Sequence, residues 1–188
     1  MENETIENFF DINKIRLIVG LGNLGREYDR TRHNIGFEFV ETLAGTTKFN
    51  DDSKLKSMLF SKDINDRKVL LSKPTTLMNT SGEAVVLISN YFSIQTEEIL
   101  VVHDDLDLRI GNSKIQFAKG PKVHNGVLSI ENRLGSSKFW RLRIGIDNRE
   151  IATRDLIEPH NYVLSRFKTD ELDTISRVIY DIIQSWIK

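Results

Sequence analysis

His33, in the segment Thr31-Arg32-His33-Asn34, is the side chain best placed to move a proton near neutrality. The reference pKa of an imidazole, ~6.5, lies closer to that pH than any other side chain's. A histidine that acts as a base needs a partner to fix its tautomer and to stabilise its cation. The run His103-Asp104-Asp105-Leu106-Asp107 could supply a carboxylate, and three readings of it stand. One acid could orient the histidine. His103, Asp104 and Asp107 could hold a metal ion, Mg²⁺ among them. The run could also be a solvated turn.

Amides form a second set. Asn79 in PTTLMNTSG and Asn125 in KVHNG each precede an expected helix. Both could cap those helices, or their amides could position a water and stabilise a developing oxyanion. The segment GLGNLG, residues 20–25, matches G-x-G-x-x-G. A dinucleotide site would need an apolar-periodic helix directly after the last glycine, yet the chain continues REYDRTRHN. The other readings are a plain glycine turn and a turn that presents Asn23 and Tyr28 to a ligand. No serine stands in a G-x-S-x-G motif. A hydrolase built from these residues would therefore activate water with a base.

These side chains need a scaffold that brings distant segments together. Ile15–Val19 and Ile99–Val102 are continuous apolar runs, as in buried strands. Lys68–Leu71 reads as a short strand, Lys114–Ala118 as an edge strand, and Trp140–Ile146 as a strand with one exposed face. Helical spacing covers 35–45, Ser81–Phe92 and Asn125–Leu134. It is clearest over Thr169–Trp186, where Leu172, Ile175, Ile179, Ile183 and Trp186 share a stripe. Alternating strands and helices predict a single α/β domain with a twisted, mixed, largely parallel sheet flanked by helices. In such folds ligands bind beyond the carboxyl ends of the strands, where His33 and Asp104 are expected.

The 188 residues suit one domain, with 14–188 as the folded unit and 1–13 as a flexible acidic extension. Lacking cysteine, the chain can have no disulfide scaffold, cysteine nucleophile or thiolate metal site. No apolar run is long enough to span a membrane, and the acidic start lacks the features of a secretory signal. Cytoplasmic residence is the expectation. The formal net charge is -1, but Glu2, Glu4, Glu7 and Asp11 lie in the extension. Without them, 23 acidic residues stand against 26 basic ones, a balance that permits a nucleic-acid partner.

Taken together, LIVGLGNLGREYDRTRHNIGF, KPTTLMNTSGEAV, EEILVVHDDLDL, HNGVLSI and WRLRIGI resemble the bacterial-type peptidyl-tRNA hydrolase family from about Ile15 to Phe167. The resemblance implies a single α/β domain that hydrolyses the ester between a peptide and tRNA, as a monomer, with no cofactor and no metal. It makes His33 the base, Asp104 its orienting carboxylate, and Asn23 the residue that tells a peptidyl from an aminoacyl group. Asn79 and Asn125 would contact the substrate end and its water. Tyr28 and Leu77 would line the acceptor-end site, and Lys114 and Arg143 would clamp tRNA phosphate. Lys119, Lys122 and Arg141 are further candidates for phosphate. The chain departs from the family pattern at Leu24, usually proline, and at Leu77, usually phenylalanine. It departs most at AKGPKVHN, residues 118–125, where the family is glycine-rich. The alternative on the same fold is a non-catalytic RNA-binding protein.

Overall fold

The computed structural model describes residues 9–121, 123–150 and 156–187. Its strands are β1 (Leu17–Gly20), β2 (Asn50–Asp52), β3 (Ser57–Ile64), β4 (Arg67–Pro74), β5 (Ile99–Arg109), β6 (Ser113–Phe117) and β7 (Trp140–Asp147). They form one sheet in the order β2-β3-β4-β1-β5-β7-β6. The centre is parallel, since β1 pairs with β4 and β5, and β5 with β7. Both margins are antiparallel.

The helices are α1 (Ile35–Ala44), α2 (Ser81–Phe92), α3 (Asn125–Leu134), α4 (Pro159–Leu164) and α5 (Thr169–Trp186). Period-two alternation along the central strands divides the core. Ile18, Leu100 and Val102 face α1 and α5, where they join Phe39, Val40, Ile175, Ile179 and Trp186. Leu17, Val19, Ile99 and Val101 face α2 and α3, where they meet Val85, Ile88 and Ile130. Covering both faces in this way is what lets the central strands be apolar throughout.

The observed bounds of α2, α3 and α5 are those the spacing predicts. Other elements differ. β5 runs eleven residues, straight through His103, Asp104 and Asp105. Carboxylates are disfavoured in strands, but Asp104 and Asp105 have partners that reward burial, described below. β7 has no exposed face. Arg141 lies buried in it, and only Arg143 is partly exposed. Near the N-terminus, Phe10 packs edge-on against Trp140, with ring centroids 5.2 Å apart, and Ile12 is buried. The expected extension is therefore docked over its described part, and residues 1–8 lie outside the described residues.

Two glycines join the halves of the site. A Cβ on Gly20 would overlap the carbonyl of Gly36, and a Cβ on Gly36 would overlap Leu21 and the carbonyl of Val102. The end of β1, the start of α1 and the end of the apolar part of β5 thus meet backbone to backbone. His33 precedes α1 by two residues and Asp104 follows Val102 by two, so this close approach sets them side by side.

Candidate active site

His33 sits in a 3₁₀ turn, Arg32–Asn34, ahead of α1. Its Nδ1 lies 2.7 Å from Asp104 Oδ1. Burial pushes the His33 pKa down, but the charge and hydrogen bond of Asp104 together raise it above the ordinary value. Burial also opposes ionisation of Asp104. The two imidazoles that face it outweigh that effect and hold the carboxyl well below the usual carboxylate range. An ionised Asp104 accepts the Nδ1 proton of His33 and leaves Nε2 with a free lone pair, as a base requires.

The second imidazole is His124, whose Nε2 lies 3.0 Å from the same Oδ1. His124 also caps α3. Its Nδ1 accepts hydrogen bonds from the backbone of Gly126, at 3.2 Å, and Val127, at 3.3 Å. A nitrogen that accepts carries no proton, so the proton of His124 is on Nε2 and points at Asp104. The helix cap thus fixes the tautomer of His124. His103 lies behind the pair and is fully buried. Its Nδ1 donates to the Asp104 carbonyl at 2.7 Å, and burial, with His124 beside it, pushes its pKa down to about 3. It is neutral at any physiological pH.

His33, Asp104 and His124 present ligand atoms within 4.8 Å of one another, the one such group among the described residues. A metal ion there would need the Nε2 lone pair of His124. The displaced proton would then move to Nδ1 and face two N–H donors. This donor set fits hydrogen bonds better than a metal. His103 and Asp107 do not join it, contrary to the metal reading of HDDLD.

Around this trio the structure gathers some of the expected residues. Asn125 opens α3 and lines the same cleft of about 250 Å³ as His33 and Asp104. Asn23 is tied to Asn34, the residue after His33, by a reciprocal pair: its backbone N–H donates to Asn34 Oδ1 at 2.8 Å, and Asn34 Nδ2 donates to its carbonyl at 2.9 Å. Tyr28 lies on the turn leading to His33, where its carbonyl accepts from Thr31 Oγ1 at 2.8 Å. Leu77 and Asn79 flank Met78, whose sulfur fills the space that a Cβ on Gly126 would need. Both are exposed, Leu77 by 72%, so both are accessible on the rim near α3. Neither asparagine is a cap: the caps are Thr80 for α2 and His124 for α3. GLGNLG opens onto a 3₁₀ turn, Arg26–Tyr28, and not onto a helix, which removes the dinucleotide reading.

Among the basic candidates, Lys114 and Lys119 are exposed and Lys122 lies outside the described residues. Arg143 binds Asp105 and Gln116, each at 2.5 Å. Arg141 does not fit the expected phosphate role. It is buried, its guanidinium bonds Glu131 and the carbonyl of Gly120, and it lies over the Phe139 ring. It anchors the chain at Gly120.

The sequence reading assigns no role to four residues of the site, His124, Asn34, Arg32 and Glu171, although the first three lie in the segments that carry the family resemblance. Arg32 forms a buried ion pair with Glu171 of α5, its Nη2 donating to Oε1 at 2.7 Å and Oε2 at 2.6 Å, with its guanidinium 4.4 Å from the centre of the Tyr162 ring. This pair fastens the His33 turn to α4 and α5. Replacing Glu171 by Ala leaves a buried cation unpaired, at a cost of about 3–5 kcal/mol. Thermal unfolding is expected to show a Tm lower by about 10 °C. An unchanged Tm would refute the anchoring role.

Known proteins share this fold and most of this sequence's length. Residues 17–188 match the family model described as peptidyl-tRNA hydrolase. The chain is 40% identical over 166 residues to peptidyl-tRNA hydrolase of Staphylococcus aureus (strain JH9), covering 88% of this chain and 85% of that one. A crystal structure of peptidyl-tRNA hydrolase from Acinetobacter baumannii superposes with a TM-score of 0.80 at 35% identity, over 91% of this chain and 86% of that one. A crystal structure of a peptidyl-tRNA hydrolase complex with N-propanol gives 0.81 at 34%, over 94% and 88%. On the shared fold and the match over nearly its whole length, the chain belongs to the peptidyl-tRNA hydrolase family of enzymes.

Proposed function

We propose that the chain hydrolyses the ester joining a peptide, or an N-blocked aminoacyl group, to tRNA, with His33 as general base. The observation that carries this reading is the 2.7 Å contact of His33 Nδ1 with a buried, ionised Asp104. It leaves the opposite ring nitrogen free to take a proton from water at the cleft. The water attacks the ester carbonyl. Asn125, in the same cleft, or Asn23 or Asn79 provides an amide donor for the oxyanion. Protonated His33 then returns its proton to the departing ribose oxygen. Tyr28 and Leu77 contact the acceptor end. This reading places the chain in the cytoplasm, where its substrate is made, acting as a monomer through a cleft built from one chain.

Lys114, Lys119 and Arg143 meet the phosphates, with Arg143 oriented by Asp105. Each phosphate contact releases counterions, so the slope of log affinity for tRNA against log salt should be about −2 to −3. Lys114→Ala should make it shallower by about one unit. A flat response to salt in filter binding would remove phosphate recognition from the account.

The direct test is release of N-acetyl-aminoacyl groups from tRNA by the purified protein, with and without a chelator. Hydrolysis insensitive to the chelator is expected. No hydrolysis, with tRNA still bound, would favour a non-catalytic RNA-binding protein on this fold.

A further inference from the structure

Part of the wall of the cleft that holds His33 is supplied by α4, a six-residue helix opened by Pro159. One side of α4 is fastened to the protein. Tyr162 is buried, its hydroxyl donates to the Ile146 carbonyl at 3.0 Å and accepts from Asn148 N at 2.9 Å, and Arg32 covers its ring. With Tyr162 so held, Pro159, His160 and Val163 turn to the cleft shared with His33, Asp104 and Asn125.

Among the described residues, the lining of this cleft includes no lysine or arginine, and Asp104, its one carboxylate, is committed to two imidazoles. The tRNA half of the substrate carries phosphates and is met by cations. The described lining, without cations, suits the acyl half. Leu106, Val123, Pro159 and Val163 give it apolar walls. Among its polar side chains, His33 and His124 are bound to Asp104, and Asn125 has the oxyanion. His160, exposed and on the α4 wall of the cleft, is the polar group of the described lining left to meet the acyl residue.

We propose that His160 is a specificity-determining residue, which favours an acyl side chain able to hydrogen-bond with its imidazole over an aliphatic side chain of similar size. The inference rests on the peptidyl-tRNA reading above. Because the imidazole is also open to water, the discrimination is that of one exchanged hydrogen bond, about three- to tenfold.

The experiment uses one tRNA, acylated chemically with either N-acetyl-glutamine or N-acetyl-leucine, so that tRNA identity is constant. The kcat/KM ratio for the two substrates is measured for wild type, His160→Leu and His160→Gln. Wild type is expected to prefer the glutamine ester. His160→Leu should lower the ratio about three- to tenfold, and His160→Gln should keep most of it. A wild type without preference overturns the proposal, as does a His160→Leu variant that slows both substrates equally and leaves the ratio unchanged. A wild type that hydrolyses neither ester, though folded and binding tRNA, overturns the peptidyl-tRNA reading itself.

Discussion

His33→Ala is expected to lower turnover of N-blocked aminoacyl-tRNA by about 10²–10⁴ while leaving tRNA affinity and folding nearly intact. The loss follows from removing the imidazole whose Nδ1 is held by Asp104 and whose Nε2 is left to act as the base. The survival of the fold follows from His124. Asp104 is almost fully buried, and a carboxylate orphaned there would be costly. Without His33 it still accepts the Nε2 proton of His124 at 3.0 Å. His33→Gln should lose as much activity, because an amide supplies polarity but cannot hold the proton. Single-turnover hydrolysis, paired with filter binding of tRNA, separates the two effects. Near-normal turnover by purified His33→Ala would end the general-base mechanism.

How much of this was legible beforehand differs from element to element. α2, α3 and α5 stand at their expected bounds because each buries one face, and period 3.6 records that in the sequence. β5 was legible only to Val102. Just past that point come His103, Asp104 and Asp105, tolerated in the sheet through partners from α3, the His33 turn and β7. Those partners are tertiary facts, which no local window contains. β3 went unread although the pair Asn65-Asp66, both at positive φ, makes the two-residue turn between Ile64 and Arg67. That was a usable hairpin signal. In the site, His33 and Asp104 were readable by residue type and family motif. The role of His124 was not, since it depends on one imidazole capping α3 while reaching Asp104. Arg141 misled for a related reason: charge in a strand suggested an exposed face, whereas Glu131 and the Gly120 carbonyl repay its burial.

Asp104→Asn separates the charge of this residue from its shape. Asn is nearly isosteric, and its amide oxygen can still accept from His33 and His124, so the ring can keep its place. What disappears is the negative charge. In the native protein His33 titrates above its ordinary value because that charge and hydrogen bond outweigh burial. Activity of a base is lost as pH falls through its pKa, so kcat/KM should rise with pH to a plateau, with a midpoint above ~6.5. In Asp104→Asn burial acts without opposition, and the midpoint should move below ~6.5. A weaker base in a less certain tautomer should also cut the plateau, by about 10²–10⁴. A fall in rate with a downward shift in midpoint is the signature of a lost electrostatic partner. A misfolded variant would lower the rate without that shift and would show itself by circular dichroism. If the midpoint stayed in place while the fold was intact, Asp104 would have to be reassigned from partner of the base to a structural residue of β5.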